Sequence, residues 1–250
     1  MESSWTPEEL AGRAIGRLVP APSELDGRDD RSEPFVLRPE AAGALLALRA
    51  EAAREGIDLK VISGYRSFAR QRSIWNRKVS GELPLRNRAG EIVSPADYAP
   101  AELLEALSVW SALPGASRHH WGTDVDVIDA AARPAGYDVR LVPEEYAPGG
   151  PFALLGAWLD STVGDGTPFA RPYFADEGKE RGSAACPVAP EPWHLSCRSA
   201  AEEAQRAFSA EVLAGILRSL PAGEEVALAD RVLADPEGYF DRWIRSAFVR

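Results

Sequence analysis

Hydrophobic residues recur at helical spacing in several parts of the chain. The pattern predicts a helix that begins at Pro39 and ends at a glycine cap, Gly56. It predicts another that Ser67 caps and that runs to about Val79. The remaining predicted helices cover residues 7–18, 100–113 and 152–159 and most of the chain after residue 199. Helices therefore dominate both ends of the chain.

Alternation of apolar and polar residues is confined to the middle of the chain. It predicts strands over residues 57–62 and 123–128, with shorter strand candidates at 169–174 and 193–197. Residues 80–99 are rich in glycine, proline and charge without periodicity, which predicts a surface insertion. Helices on both sides of a few central strands indicate an α+β fold in a single domain.

The composition is that of an ordinary globular protein. Of the 250 residues, 45% are hydrophobic and 26% are charged, and the formal net charge is −10. Such an acidic chain is a poor partner for nucleic acid or for an anionic membrane surface. We find no stretch long enough to span a membrane and no secretory signal pattern, and therefore predict a cytoplasmic protein. The sequence leaves open whether Cys186 and Cys197 form a disulfide.

Histidine is scarce and clustered. The chain has three histidines, each close to a carboxylate: His119 and His120 ahead of Asp124 and Asp126, and His194 after Glu191. Two imidazoles and one carboxylate are a standard ligand set for catalytic zinc, which keeps a fourth position for water. The alternative to a metal site is a purely structural role, in which hydrogen bonds hold the histidines and the aspartates cap turns. Spacing alone does not choose between the two adjacent histidines or between the two aspartates.

Other catalytic signatures are absent from the sequence. It contains no G-x-S-x-G nucleophile elbow, no G-x-x-x-x-G-K-[ST] phosphate loop and no G-x-G-x-x-G fingerprint. Cys197 lies three residues after His194, which keeps a thiol hydrolase open as an alternative to a metal site.

Three ordered segments contain all of the histidines. They are Ser63-Gly64-Tyr65-Arg66-Ser67 with Gln71, Ser117-x-His119-x-x-Gly122-x-x-x-Asp126, and Glu191-x-Trp193-His194. In this order they resemble the motifs of the zinc D-alanyl-D-alanine carboxypeptidases of the vancomycin-resistance type, a family that includes L,D-carboxypeptidases. The segments span residues 63–194, about half of the chain.

The resemblance implies a fold. It is a small antiparallel sheet flanked by helices, of the kind found in zinc D,D-peptidases and hedgehog-like domains. The ends of the chain match no motif, and we expect an N-terminal helical extension (1–40), a zinc carboxypeptidase core (41–198) and a C-terminal helical segment (199–250) packed on that core.

The resemblance also implies a role for each motif residue. With Zn²⁺ as the cofactor, the ligands are His119, Asp126 and His194, and the catalytic base is Glu191. The expected substrate contacts are Arg66, Tyr65, Ser67, Gln71 and Ser117. We expect Asp124, which shares a strand face with Asp126, to hold a ligand imidazole, and Trp193 to lie beside the ligands.

Two of these roles make structural demands. Residues three apart on an extended strand face opposite sides, so Glu191 and His194 need a bend between them, which Pro192 can supply. Arg66 is expected to bind the terminal carboxylate of a peptide through its planar guanidinium. Without the motif, Arg66 would be interpreted as an exposed arginine in an ordinary turn.

The implied function is removal of a C-terminal D-alanine from peptidoglycan stem peptides. We favour an L,D-carboxypeptidase that trims a tetrapeptide to a tripeptide. The alternatives are a D,D-carboxypeptidase, an endopeptidase that cuts the stem internally, and a zinc-bearing binding module without turnover. Glu191 argues against the last, because a module without chemistry needs no base. The sequence does not indicate the oligomeric state.

Overall fold

The computed structural model describes residues 5–174 and 187–249. The strands in these ranges are β1 (Val19–Pro20), β2 (Val36–Leu37), β3 (Leu59–Ser63), β4 (Leu85–Arg86), β5 (Ile92–Val93), β6 (Asp124–Asp129), β7 (Phe169–Ala170) and β8 (His194–Cys197). Four of them form an antiparallel sheet in the order β3-β6-β8-β7. The other four form two small ribbons, β1 with β2 and β4 with β5.

Helices surround this sheet. They are α1 (Pro7–Leu10), α2 (Pro39–Arg54), α3 (Phe68–Val79), α4 (Pro100–Trp110), α5 (Ala153–Thr162), α6 (Arg198–Ala207), α7 (Ala210–Arg218), α8 (Ala229–Ala234) and α9 (Pro236–Tyr239). The predicted fold class, helices with a small antiparallel sheet, is confirmed. None of the helices in the described ranges is long and apolar enough to cross a membrane.

The boundaries of the long helices follow from local signals. Ser67 caps α3 by accepting a hydrogen bond from the Arg70 backbone amide at 3.1 Å. Gly56, just after α2, has a φ of +79°, a conformation that glycine adopts without a steric penalty. Proline at the start of α2 and of α4 restricts the backbone to a helical φ.

The first helix is shorter than predicted. It was expected to reach Leu18 but ends at Leu10, because Gly12 takes a left-handed φ of +71°. A Cβ atom at Gly12 would lie 2.5 Å from Nδ1 of His120, so the chain turns there against a motif segment. The Gly12 carbonyl also accepts hydrogen bonds from the Tyr65 hydroxyl and the Phe68 amide. These long-range contacts outweigh the local helical pattern.

Two other segments differ from their predictions. Residues 80–99 were expected to form an irregular surface insertion, yet they contain the β4–β5 ribbon. The predicted strand at 169–174 is limited to Phe169–Ala170. Cys197 is buried at the end of β8, whereas Cys186 lies outside the described residues.

The central strand β6 separates two environments. Val125 and Val127 are fully buried in a hydrophobic cluster with side chains of α2 and α5. Side chains alternate along a strand, so Asp124 and Asp126 project from the opposite face. A second hydrophobic cluster joins α3 and α4 to the C-terminal helices, for example through Trp75, Leu107 and Phe240. The division of the chain into extension, core and C-terminal segment stays a prediction.

Candidate metal centre

The strand register brings two of the expected ligands together. In the pairing of β6 with β8, Asp126 lies directly opposite His194. Directly opposite side chains in an antiparallel pair have Cβ atoms about 5 Å apart. The Asp126 Oδ1 atom is 3.1 Å from His194 Nδ1, and both side chains are buried. On the other side of Asp126, β3 contributes Ser63 next to a register shift in that strand.

The third expected ligand comes from a short 3₁₀ helix, Arg118–Trp121, that precedes β6. His119 Nδ1 donates to the Gly64 carbonyl at 2.9 Å, which leaves Nε2 directed at Asp126 Oδ2, 3.3 Å away. One donor atom from each of His119, Asp126 and His194 lies within 4.8 Å of the others. Two imidazole nitrogens and one carboxylate oxygen, all buried, fit the ligand set of a catalytic Zn²⁺ ion.

A hydrogen-bond network orients the second imidazole. His194 Nε2 donates to Asp124 Oδ1 at 2.9 Å, so that Nδ1 is the nitrogen that faces Asp126. Asp124 in turn accepts a hydrogen bond of 2.7 Å from Nε of Arg118, which is itself buried. Carboxylates that hold ligand imidazoles in this way are common around metal ions and tune their affinity.

The electrostatics of the group favour ionised carboxylates. Burial alone would raise the pKa of Asp126, but charge and hydrogen bonds from His119 and His194 lower it below its usual value. Asp124 shows the same balance: burial opposes ionisation, but the charge of Arg118 together with hydrogen bonds from His194 and Thr123 lowers its pKa. Burial lowers the pKa of His119 despite Asp126, which keeps this imidazole in the neutral form that binds metals.

His194 behaves differently because two carboxylates flank it. Burial disfavours its charged form, but hydrogen bonds to Asp124 and Asp126 raise its pKa to about 9. A cation at this position is therefore strongly favoured by its surroundings. A metal ion that replaces the imidazolium proton would meet the same negative field.

The expected base stands beside the three donors. Glu191 begins a turn in which the His194 amide donates to the Glu191 carbonyl, so residues 191 and 194 face the same side. Pro192 lies within this turn, as the sequence suggested. Glu191 Oε2 is 3.4 Å from His194 Nδ1, and burial raises the pKa of Glu191 to about 7, against the lowering effect of His194.

A cavity of about 310 Å³ opens onto this group. Arg66 lines it, and its guanidinium donates to Gln71 Oε1 and to Ser63 Oγ, each at 2.9 Å. The same guanidinium is 4.0 Å from Asp126 Oδ2. Gln71, Ser117 and Trp193 also line the cavity.

Two expected substrate contacts point elsewhere. The Tyr65 hydroxyl donates to the Gly12 carbonyl at 2.8 Å, and Ser67 caps α3 while its hydroxyl donates to Glu33. Neither side chain is among those that line the cavity. Both hold the loop around Arg66 in place, and a direct contact with substrate stays a prediction for them.

The second histidine of the pair is a structural residue in this arrangement. His120 Nδ1 donates to the Arg66 carbonyl at 2.6 Å, and His120 Nε2 accepts from the Gly115 amide at 3.1 Å. Burial lowers the pKa of His120 to about 3, so it stays neutral. Neither His120 nor its neighbour Trp121 is among the residues that line the cavity. With both ring nitrogens engaged, His120 fixes the backbone that carries Arg66.

Several residues of the site carried no signal in the sequence. Arg118 occupies an unmatched position of the second motif, and Lys78 and Arg86 lie outside the motifs. Tyr173 packs edge-on against His194, with ring centroids 4.8 Å apart. The C-terminal segment also lines the cavity, through Tyr239, Trp243, Ile244, Ala247 and Phe248. No local pattern could reveal these contacts, because each depends on how distant helices pack.

The chain matches the family model described as VanY, D-alanyl-D-alanine carboxypeptidase, over residues 34–199. This range is more than half of the chain and contains the three expected ligands and Glu191. The chain belongs to the VanY D-alanyl-D-alanine carboxypeptidase family. It is thus a peptidase by family, and its buried donor set fits the zinc ion that the resemblance implied.

Individual relatives of this VanY-family chain include an uncharacterised protein of Haemophilus influenzae. That protein is 35% identical over 129 residues, which are 52% of this chain and 90% of the relative. Among solved structures, the LdcB LD-carboxypeptidase is 21% identical with a TM-score of 0.49, over 92% of this chain and 80% of that one. The vancomycin resistance D,D-pentapeptidase VanY in complex with Zn(II) is 22% identical with a TM-score of 0.43, over 78% of this chain and 93% of that one.

Proposed function

We propose that this protein is a zinc-dependent carboxypeptidase that removes the C-terminal D-alanine from peptidoglycan stem peptides. One observation carries the proposal: three metal donors, a carboxylate base and an arginine line one cavity. These groups are His119, Asp126, His194, Glu191 and Arg66. In peptide hydrolysis they would supply the metal site, the proton acceptor and the recognition of a free carboxylate.

The three donors would hold the zinc ion. When bound there, zinc lowers the pKa of a water molecule from 15.7 to about 7 and polarises the scissile carbonyl. Glu191 accepts a proton from the attacking water and passes it to the nitrogen of the leaving amino acid. A pKa near 7 suits both transfers, since the carboxylate must accept and then release a proton at neutral pH.

Arg66 would bind the terminal carboxylate of the substrate. Its guanidinium is held by Gln71 and Ser63, so its position in the cavity wall is set before a peptide arrives. The backbone of Arg66 is fixed as well, because its amide donates to the His119 carbonyl and its carbonyl accepts from His120. The fixed guanidinium lies 4.0 Å from Asp126 Oδ2, close to the metal donors. This position favours cleavage of the bond next to the C-terminus of the peptide substrate.

We place L,D-carboxypeptidase activity ahead of D,D-carboxypeptidase activity. The cavity wall beside the donors is rich in cations, which suits a diamino acid with a free carboxylate on its side chain before the scissile bond better than a second alanine. The endopeptidase alternative would leave Arg66 without a terminal carboxylate to bind. A zinc-bearing module without turnover would have no use for Glu191.

Product analysis tests these alternatives together. The zinc-loaded protein is incubated with a mixture of muropeptide tripeptides, tetrapeptides and pentapeptides, and the products are identified by mass spectrometry. Loss of D-alanine from the tetrapeptide is the expected result. Shortening of the pentapeptide alone would instead establish the D,D-activity. Internal cuts would establish the endopeptidase activity, and unchanged peptides would indicate a binding module.

The cytoplasmic location stays a prediction.

A further inference from the structure

The charge of the cavity is opposite to that of the whole protein. The full chain has a formal net charge of −10. Yet the cavity lining contains two carboxylates, Asp126 and Glu191, and five cations: Arg66, Lys78, Arg86, Arg118 and Arg140. A concave surface lined by one sign of charge concentrates ligands of the opposite sign. The lining therefore favours an anionic substrate.

Three of these cations already have assigned partners. Arg118 is paired with Asp124 at 2.7 Å, and Arg140 lies 3.7 Å from a carboxylate oxygen of Glu145. Arg66 is the proposed partner of the terminal carboxylate. Lys78 and Arg86 thus remain for a different negative charge.

In the described part of the chain neither remaining cation forms an ion pair with a carboxylate, although the charge of Glu191 acts on Lys78 from a greater distance. The Lys78 ammonium donates to the Ser111 hydroxyl, and the Arg86 guanidinium donates to the Gly90 carbonyl at 2.7 Å. Burial, helped by the positive charges of Arg66 and Arg86 and opposed by Glu191, lowers the pKa of Lys78 to about 8, so the ammonium is still mostly charged at neutral pH. A half-buried cation without a carboxylate in contact is costly unless another negative charge approaches it.

The position of Lys78 indicates where on the substrate this charge lies. Gln71, Ile74 and Lys78 all line the cavity and lie on one stripe of α3. Gln71, which holds Arg66, donates to the Ala112 carbonyl at 2.6 Å, and the Lys78 ammonium donates to the hydroxyl of the adjacent residue, Ser111. The Lys78 ammonium therefore lies on the same part of the cavity wall as Gln71, where a long side chain from the residue before the terminal one can reach it.

We propose that Lys78 and Arg86 form a subsite for a second carboxylate, at the end of the side chain of the residue that precedes the scissile bond. The proposal rests on the carboxypeptidase function proposed above and names its substrate class. The preferred peptides are those whose diamino acid carries a carboxylate at its far end, as diaminopimelate does. A lysine at the same position would place its ammonium beside two cations and be rejected.

Matched substrates test this subsite without altering the protein. We compare kcat/KM of the zinc-loaded protein on three tetrapeptides that end in D-alanine. The first carries diaminopimelate with a free distal carboxylate, the second carries the same residue with that carboxylate amidated, and the third carries lysine. A hydrogen-bonded charge pair of this kind corresponds to a factor of about 10–100 in favour of the free carboxylate. The lysine peptide should be cleaved most slowly.

Variants then identify the residue that is responsible. Lys78→Met should lower kcat/KM on the free-acid peptide far more than on the amide, which brings their ratio towards one. Lys78→Arg keeps the charge and should keep most of the preference. Lys60→Met is the matched control, because Lys60 lies on β3 outside the cavity lining and its ammonium donates to the Glu24 carbonyl. Thermal unfolding and zinc content verify that each variant is folded and loaded.

The outcomes separate the subsite from the function. Equal cleavage of the acid and amide peptides by the unaltered protein would overturn the subsite and leave the carboxypeptidase function standing. Cleavage of none of the three peptides would overturn the L,D-activity, and the subsite with it. A preference for the free acid that survives in both Lys78→Met and Arg86→Met would assign the carboxylate to other residues and contradict the proposal.

Discussion

Replacing Arg118 by methionine should weaken the metal site without removing a ligand. The Arg118 side chain is 4% exposed, and its guanidinium donates to Asp124 at 2.7 Å, to Ser196 at 2.6 Å and to Gln205 at 2.8 Å. Methionine keeps the apolar stem but leaves the Asp124 carboxylate buried without its cation. Asp124 would then be less firmly placed to hold His194.

The size of the effect follows from the burial of the pair. Removing one member of a buried ion pair costs roughly 3–5 kcal/mol, because the other charge stays buried without compensation. In a protein of this size 1 kcal/mol shifts Tm by roughly 2–4 °C, so we expect the Tm of the metal-free protein to fall by about 10 °C. In addition, Asp124 would no longer fix the orientation of the His194 imidazole, which should lower zinc affinity by about 10–100-fold.

The stability loss should also depend on pH. Arg118 helps to depress the pKa of Asp124 in the folded protein, and a depressed carboxyl pKa stabilises the fold above the unfolded value of about 3.9. That contribution is lost as pH falls through the folded pKa. The difference in Tm between the unaltered protein and Arg118→Met should therefore narrow as the pH falls through the acid range.

Two measurements check the prediction: thermal unfolding of the metal-free proteins, and zinc affinity by competition with a chelator. Arg118→Lys keeps the charge but loses the planar set of donors, so its values should lie between those of the other two proteins. Arg206→Met removes an exposed pair with Glu202 and should change stability by less than about 1 kcal/mol. Unchanged zinc affinity in Arg118→Met would refute the reasoning that Arg118 acts on His194 through Asp124.

The other predictions concern the ligands, the base and the arginine. His119→Ala and Asp126→Ala should each lose zinc, while His120→Ala should keep most of it. Metal analysis of the purified variants tests this, and a full zinc content in His119→Ala would contradict the ligand assignment. Glu191→Gln should keep zinc but lose about 10²–10⁴-fold in kcat, because an amide cannot accept the proton. If its activity stays within a few-fold of the unaltered protein, a different residue is the catalytic base. Amidating the substrate's terminal carboxylate should lower kcat/KM severely in the unaltered protein but little in Arg66→Ala. A double-mutant cycle measures this non-additivity. If the unaltered protein cleaves amidated and free peptides at equal rates, the endopeptidase alternative is favoured.

Local sequence signals predicted most of the elements of this fold. Helices α2 to α5 begin and end within a few residues of their predicted bounds, because caps, prolines and glycines act within one turn of the chain. The first helix was predicted wrongly for the opposite reason. Gly12 ends it through contacts with His120 and Tyr65, which lie far away in the sequence.

The residue types of the site could be predicted from the motifs alone, since every histidine falls within one of them. It could not choose His119 over His120, or Asp126 over Asp124, from spacing. The tertiary structure distinguishes them through the strand register, which places Asp126 opposite His194, and through the hydrogen bonds that engage both nitrogens of His120. The cationic wall at Lys78 and the C-terminal helices over the cavity also exist only in three dimensions. Periodicity records which face of an element is buried, whereas register and helix packing depend on contacts between residues far apart in the chain.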